Sequence, residues 1–253
     1  MAPPTTLRLE RFAQSAPSFP HFGEDEPVID FLDVLEQKGA AFIDLTNRAD
    51  LDAPVPCCPD WRLRDLALHL GHVWEWARRC VEEAAYVEES EAPLPDDELE
   101  PWLREQLGLL VAVLRATDPA SPTWSFGPKP RLAAFWPRRQ AHEVTVHLWD
   151  AQSAIGMPEP IEPGLAADGI DEVFTVFLPR QVRLERMQAV RDGVRIALTD
   201  GRSYELGDQM VAEVTGEPSQ VLLALWHRVP VESLSISGDR DAAGIAFDRA
   251  LTP

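Results

Sequence analysis

The stretch that decides the fold is Arg138-Arg139-Gln140-Ala141-His142-Glu143-Val144-Thr145-Val146-His147-Leu148-Trp149-Asp150. Its apolar positions Ala141, Val144 and Leu148 continue to Ala151 and Ile155 at a spacing of three to four, the period of a helix with one buried face. Pro137 suits the first turn of such a helix, and Gly156-Met-Pro ends it, which predicts a helix from Pro137 to Ile155. Glu143 and His147 stand four apart. On a helix their carboxylate and imidazole project side by side, as two ligands of one metal must. Asp150, one turn further on, is placed either to orient His147 or to form a surface ion pair.

Upstream, Ile29, Leu32, Leu35, Ala40, Phe42, Ile43 and Leu45 give a first helix over Val28 to Arg48. The connector Asp52-Ala-Pro-Val-Pro-Cys-Cys-Pro-Asp60 ends at an acid suited to cap a second helix, Trp61 to Glu83. On a wheel of about 100° per residue, His69 lies at the edge of that helix's apolar face and His72 toward its polar side. His69 is therefore the better candidate to look into a bundle interior. A third helix runs from Glu98 to Ala116 on Leu99, Trp102, Leu103, Leu107, Leu110, Val111 and Leu114. Four helices with modest loops predict an up-and-down four-helix bundle over residues 27–160, preceded by an arm at residues 1–26.

Beyond Gly156 to Pro163 the pattern changes. A helix at Leu165 to Phe177 precedes strand-like runs at Met187 to Val190, Val194 to Leu198 and Met210 to Val214. A helix at Ser219 to Trp226, a strand at Leu234 to Ser237 and a last helix from Asp239 follow. Residues 161–253 are thus expected to form a small α+β domain, and the whole chain to be α+β.

The chain has 253 residues, 45% of them hydrophobic, enough for a packed core. It lacks a signal-peptide pattern and any apolar run of membrane-spanning length, so a cytoplasmic location is expected. A net charge of −19 argues against nucleic acid and membrane as partners. Cys57, Cys58 and Cys80 do not have the spacing of a disulfide framework or a cysteine zinc finger, and read as small buried or partly buried thiols, with nothing local to argue for a reactive role. No glycine-rich phosphate loop supports a nucleotide cofactor.

A catalytic zinc typically has three protein ligands and one open position. His69, Glu143 and His147 supply that number and type, although a solvated Glu–His pair and a hydrogen-bonded core histidine fit the same spacing. Val146 rules out the His-Glu-x-x-His protease pattern, so Glu143 reads as a ligand rather than a base. His142 faces elsewhere on the wheel, where a structural role or a partner contact is expected.

Asp52-Ala-Pro-Val-Pro-Cys-Cys-Pro-Asp-Trp61 followed by Arg64-Asp-Leu-Ala-Leu-His69, together with Arg138 to Ala151, resembles the two metal-ligand segments of the mycothiol-dependent maleylpyruvate isomerase family. The run from Val214 through Trp226-His-Arg-Val-Pro230 to Arg240 is similar to that family's C-terminal domain. The resemblance implies a DinB-like metal-binding N-terminal domain, a sterol-carrier-like C-terminal domain and an actinobacterial source. It also implies that His69, Glu143 and His147 bind a divalent metal, usually zinc, with mycothiol as thiol cosubstrate.

The expected function is a thiol-dependent isomerase or S-transferase acting on a small electrophilic substrate. Arg228 is the candidate catalytic residue, an anion-binding group from the second domain. The alternative is a metal-stabilised protein that binds a small molecule or partner without thiol catalysis. Asp60 stands where glycine is commoner in the family, and the arm is longer than expected.

Overall fold

The computed structural model describes residues 28–89, 92–187, 190–249 and 251–252; the expected arm at 1–26 lies outside the described residues. Four helices come first: α1 Phe31–Thr46, α2 Leu63–Glu82, α3 Asp96–Ala116 and α4 Phe135–Ala154. Each buries the stripe its periodicity announced. Leu35 and Phe42 of α1, Leu66 and Leu70 of α2, Leu103 and Leu110 of α3, and Val144 and Leu148 of α4 meet in one core. α1 packs on α4 and α3, and α2 on α3 and α4.

Asp30 caps α1, accepting from the Leu32 and Asp33 amides at 3.0 and 3.1 Å. The cap expected from Asp60 does not form. α2 begins at Leu63 instead, and Asp65 reaches back to accept from the Arg62 amide at 2.8 Å. Asp60 lies in a tight loop before it, tied by Val55 N–H to Trp61 O and Leu63 N–H to Ala53 O. α4 starts two residues before Pro137, which still falls within the first turn, where no intrahelical N–H is needed.

Gly71 sets the distance between α2 and α3, since a Cβ there would land in the Trp102 ring and 2.9 Å from Leu103 Cδ2. Gly71→Ala is therefore expected to lower stability by about 1–2 kcal/mol, overpacking exceeding the gain of about 1 kcal/mol in helix propensity. Gly108→Ala on exposed α3 meets nothing within 4 Å and should instead raise the melting temperature. Thermal melts of the two variants check the pair.

The second half comprises α5 Pro163–Glu172, a π-helical turn at Val173–Phe177, α6 Leu178–Arg183, β1 Asp192–Leu198, β2 Ser203–Leu206, β3 Gln209–Gly216, α7 Pro218–Leu225, β4 Ser235–Gly238 and α8 Arg240–Phe247. The single helix expected at Leu165 to Phe177 thus runs through a wide turn into α6. Among the described residues the sheet has four strands in the order β2-β1-β3-β4, with β1 and β3 parallel and both edges antiparallel. Val194, Ile196 and Leu198 of β1 alternate inward while Arg195 points out, and with Val214 they pack against α5, α7 and α8. The strand expected at Met187 to Val190 does not form at its described ends. β2 was not expected. Taken together, the protein is α+β, helical first and built on a small mixed sheet afterwards.

Candidate metal centre

His69 on α2 faces Glu143 and His147 on α4. One ligand atom from each of the three lies within 4.8 Å of the other two. Glu143 Oε1 is 3.5 Å from His69 Nε2 and 3.2 Å from His147 Nε2. Tetrahedral zinc with bonds of about 2.0–2.1 Å spaces its ligand atoms about 3.3 Å apart. The donor set and its spacing therefore fit a zinc-sized divalent ion. The imidazoles stand at 85° with centroids 5.2 Å apart, and Trp61 packs on His69 at 5.0 Å.

Each candidate ligand on α4 has an orienting partner. Asp150 Oδ2 is 2.9 Å from His147 Nδ1, so that nitrogen carries the proton and Nε2 is left for a metal. Asp150 is fully buried, which replaces the surface ion pair with an internal one. Its partner is Arg228, whose Nε and Nη2 donate to Oδ1 and Oδ2 at 3.0 and 2.7 Å, while Nη1 donates to Trp226 O at 2.8 Å. The sequence candidate Arg228 is thus joined to the candidate ligand His147 through Asp150.

On the other side Arg139 bridges Glu143 Oε2 and Glu172. Its guanidinium, 3% exposed, lies 5.0 Å from the Phe177 ring centroid and 5.7 Å from that of Trp226. Sequence reasoning missed Arg139 and Glu172. The signal for Arg139 was present, since positions 139, 143 and 147 are successive turns of one helix face.

Burial alone would raise the Glu143 carboxyl, but the Arg139 charge and the two histidines hold it well below the ordinary carboxylate range. For His147, burial works against the charged form, yet the hydrogen bonds it donates to Asp150 and Glu143 push it up to about 9 in the metal-free protein. A metal must displace that proton to bind. Asp150, despite burial, is held low by His147 and Arg228.

Among the described residues, His142 and His72 stand apart from this centre. His142 pairs with Asp168 at 2.6 Å, a structural role. His72 is buried, with Nε2 2.9 Å from Ala92 O and its ring 4.9 Å from Trp102, rather than lying on a polar face. Trp102 and the chain at Ala92 cover the side of α2 that the wheel left open.

Residues 32–152 match the mycothiol maleylpyruvate isomerase N-terminal domain, and residues 164–244 match the MDMPI C-terminal domain. The chain belongs to the mycothiol-dependent maleylpyruvate isomerase family. It is similar to the crystal structure of the mycothiol-dependent maleylpyruvate isomerase, with TM-score 0.67 and 12% identity over 85% of this chain and 95% of that one. A histidine-to-alanine mutant of that enzyme gives TM-score 0.66 at the same identity and coverage. At 12% identity these two likenesses concern the fold. No curated protein sequence matches the chain. Among the described residues no helix is long and apolar enough to cross a membrane.

Proposed function

We propose that the chain is a metal-dependent enzyme that uses a low-molecular-weight thiol, mycothiol, for isomerisation or S-transfer on a small electrophilic substrate. The observation that carries this reading is the convergence of His69, Glu143 and His147 at the spacing of ligands around one zinc ion. Family membership supplies the thiol and the isomerase class. The proposal places a metal-binding domain at residues 27–160 and a smaller α+β domain at 161–253, in a cytoplasmic protein.

Zinc held by His69, Glu143 and His147 would acidify a thiol in its open position and keep the sulfur nucleophilic at neutral pH. The residues around it supply orientation. Asp150 fixes the His147 tautomer, Arg139 fixes the Glu143 carboxylate, and Trp61 walls one side of His69. Addition of the thiol sulfur to one carbon of a cis double bond conjugated to a carbonyl turns that bond single. Rotation and departure of the thiol with its electron pair then give the trans product. Arg228 retains two N–H groups beyond the three already engaged, and these suit a substrate carboxylate.

A second reading, a metal-stabilised binding protein without thiol catalysis, draws on that same engagement of Arg228 by Asp150. Metal analysis and turnover separate the two. The purified protein is expected to hold about one zinc per chain and to isomerise maleylpyruvate, or conjugate a bimane electrophile, only when mycothiol is present. His69→Ala should lose both metal and turnover. Wild-type protein that binds no metal would sink both readings, and metal without thiol-dependent turnover would leave only the second.

A further inference from the structure

The tandem cysteines have no part in the chemistry above, yet the fold sets them against the metal centre. The loop between α1 and α2 closes on itself through Cys58 N–H to Val55 O at 3.0 Å and Trp61 N–H to Cys58 O at 2.8 Å, with Val55 buried as its anchor. That closure presents Cys57 and Cys58 to α4. The Cys57 thiol donates to Asp150 Oδ1 at 3.0 Å, and one atom each of Cys57, Cys58 and Asp150 lies within 4.8 Å of the other two. Both cysteines are half-buried, whereas Cys80 is fully buried.

Asp150 already accepts from His147, Arg228 and Cys57, so its oxygens are not open to a second cation. What the cluster offers is two adjacent thiols beside the Arg228 guanidinium, reachable from outside and one carboxylate away from His147. An electropositive, part-exposed setting is where a cysteine reacts with disulfides.

We propose that Cys58, with Cys57 at its side, is a reversible thiolation site, forming a mixed disulfide with the disulfide form of a low-molecular-weight thiol next to the metal centre. The Cys58 sulfur attacks one sulfur of the symmetrical disulfide RSSR. A Cys58–S–SR bond forms, the old S–S bond breaks, and RS− leaves with the electron pair and takes up the proton Cys58 gave up. Cys58 is oxidised and half of the disulfide is reduced, so no further oxidant is needed.

The neighbours sort the two thiols. Cys57 keeps its proton, since its S–H is given to the Asp150 carboxylate at 3.0 Å. Cys58 is brought down by the adjacent Cys57 thiol, opposed by burial and Asp150 and helped by the Arg228 charge. Cys58 is therefore the attacking sulfur.

The identity of R rests on the mycothiol reading; the reactivity of Cys58 does not. The full chain loaded with zinc is treated with mycothiol disulfide and, in parallel, with cystamine, and followed by intact mass and peptide mapping. One adduct per chain is expected on Cys58, formed roughly tenfold faster than on Cys57 or Cys80 and removed by dithiothreitol. Cys58→Ser should abolish it, and the adduct should weaken mycothiol binding roughly tenfold or more by crowding the centre. The wild-type peptide map decides the site even if the variant folds poorly. First labelling of Cys57 or Cys80, or no adduct with either disulfide, overturns the proposal. If Cys58 takes both disulfides at equal rates while mycothiol supports no turnover, the thiolation site stands and the mycothiol reading falls. Mycothiol-dependent turnover with an inert Cys58 gives the converse.

Discussion

Glu143→Gln is expected to empty the proposed metal centre while leaving the protein folded. The carboxylate is the one anionic member of the set, and its Oε1 lies within hydrogen-bonding reach of both histidines. The amide is nearly isosteric, so packing around α4 is preserved, but it carries no charge to balance a divalent cation and offers a weak neutral oxygen. Replacing an orienting partner of a metal ligand already costs about 10–100-fold in affinity. Loss of the ligand itself should exceed roughly 100-fold and take thiol-dependent turnover with it. Competition with a chromophoric chelator, alongside circular dichroism, measures both halves of the expectation. Zinc bound to the variant at wild-type affinity would exclude Glu143 as a ligand.

The largest stability effect is expected from Arg139→Met. Arg139 and Glu172 are 3% and 2% exposed, and the pair lies between α4 and α5. Removing the cation leaves Glu172 buried without a counter-charge, which costs about 3–5 kcal/mol. For a chain of this size that is roughly 10 °C in melting temperature. The double variant Arg139→Met/Glu172→Leu should recover most of that loss, because a well-packed apolar pair commonly matches a buried ion pair. It should not recover metal affinity, since Glu143 Oε2 would still lack the guanidinium that orients it. Recovery of metal affinity as well would mean that Arg139 serves packing alone.

Helix α4 was legible because its apolar period and its Glu-x-x-x-His spacing are both local. The same holds for His69, which the wheel preferred to His72 before any resemblance entered. The structure brings these three candidates together. Arg139 was hidden by its type, as an arginine inside a helix reads as a solvated residue until the partner that buries it is known. Glu172, 29 positions beyond Glu143 in sequence, supplies that partner. Nothing local marked Cys57 and Cys58 as reactive, because the contact that places them, Asp150, is 93 positions from Cys57.

The sheet shows the same limit. β2, Ser-Tyr-Glu-Leu, has no apolar run of its own and exists through pairing with β1, Val194 opposite Leu206 and Ile196 opposite Tyr204, with the Tyr204 ring stacked on Phe174 at 4.8 Å. The wide turn at Val173–Phe177 likewise has no sequence mark, since its residues are as apolar as those of any buried helix. His72 was misread because the wheel sees one helix, whereas Trp102 on α3 and Ala92 cover it from outside.

Glu172 and Arg228 come from the second half of the chain, whereas His69, Glu143 and His147 all lie in the first. A fragment cut in the Gly156–Pro163 segment would carry every candidate ligand and still leave Asp150 without Arg228 and Arg139 without Glu172. Chimeras that graft a foreign C-terminal portion onto these helices must therefore bring a glutamate and an arginine to the same two spots. A change at either contact in one half is thus felt in the other.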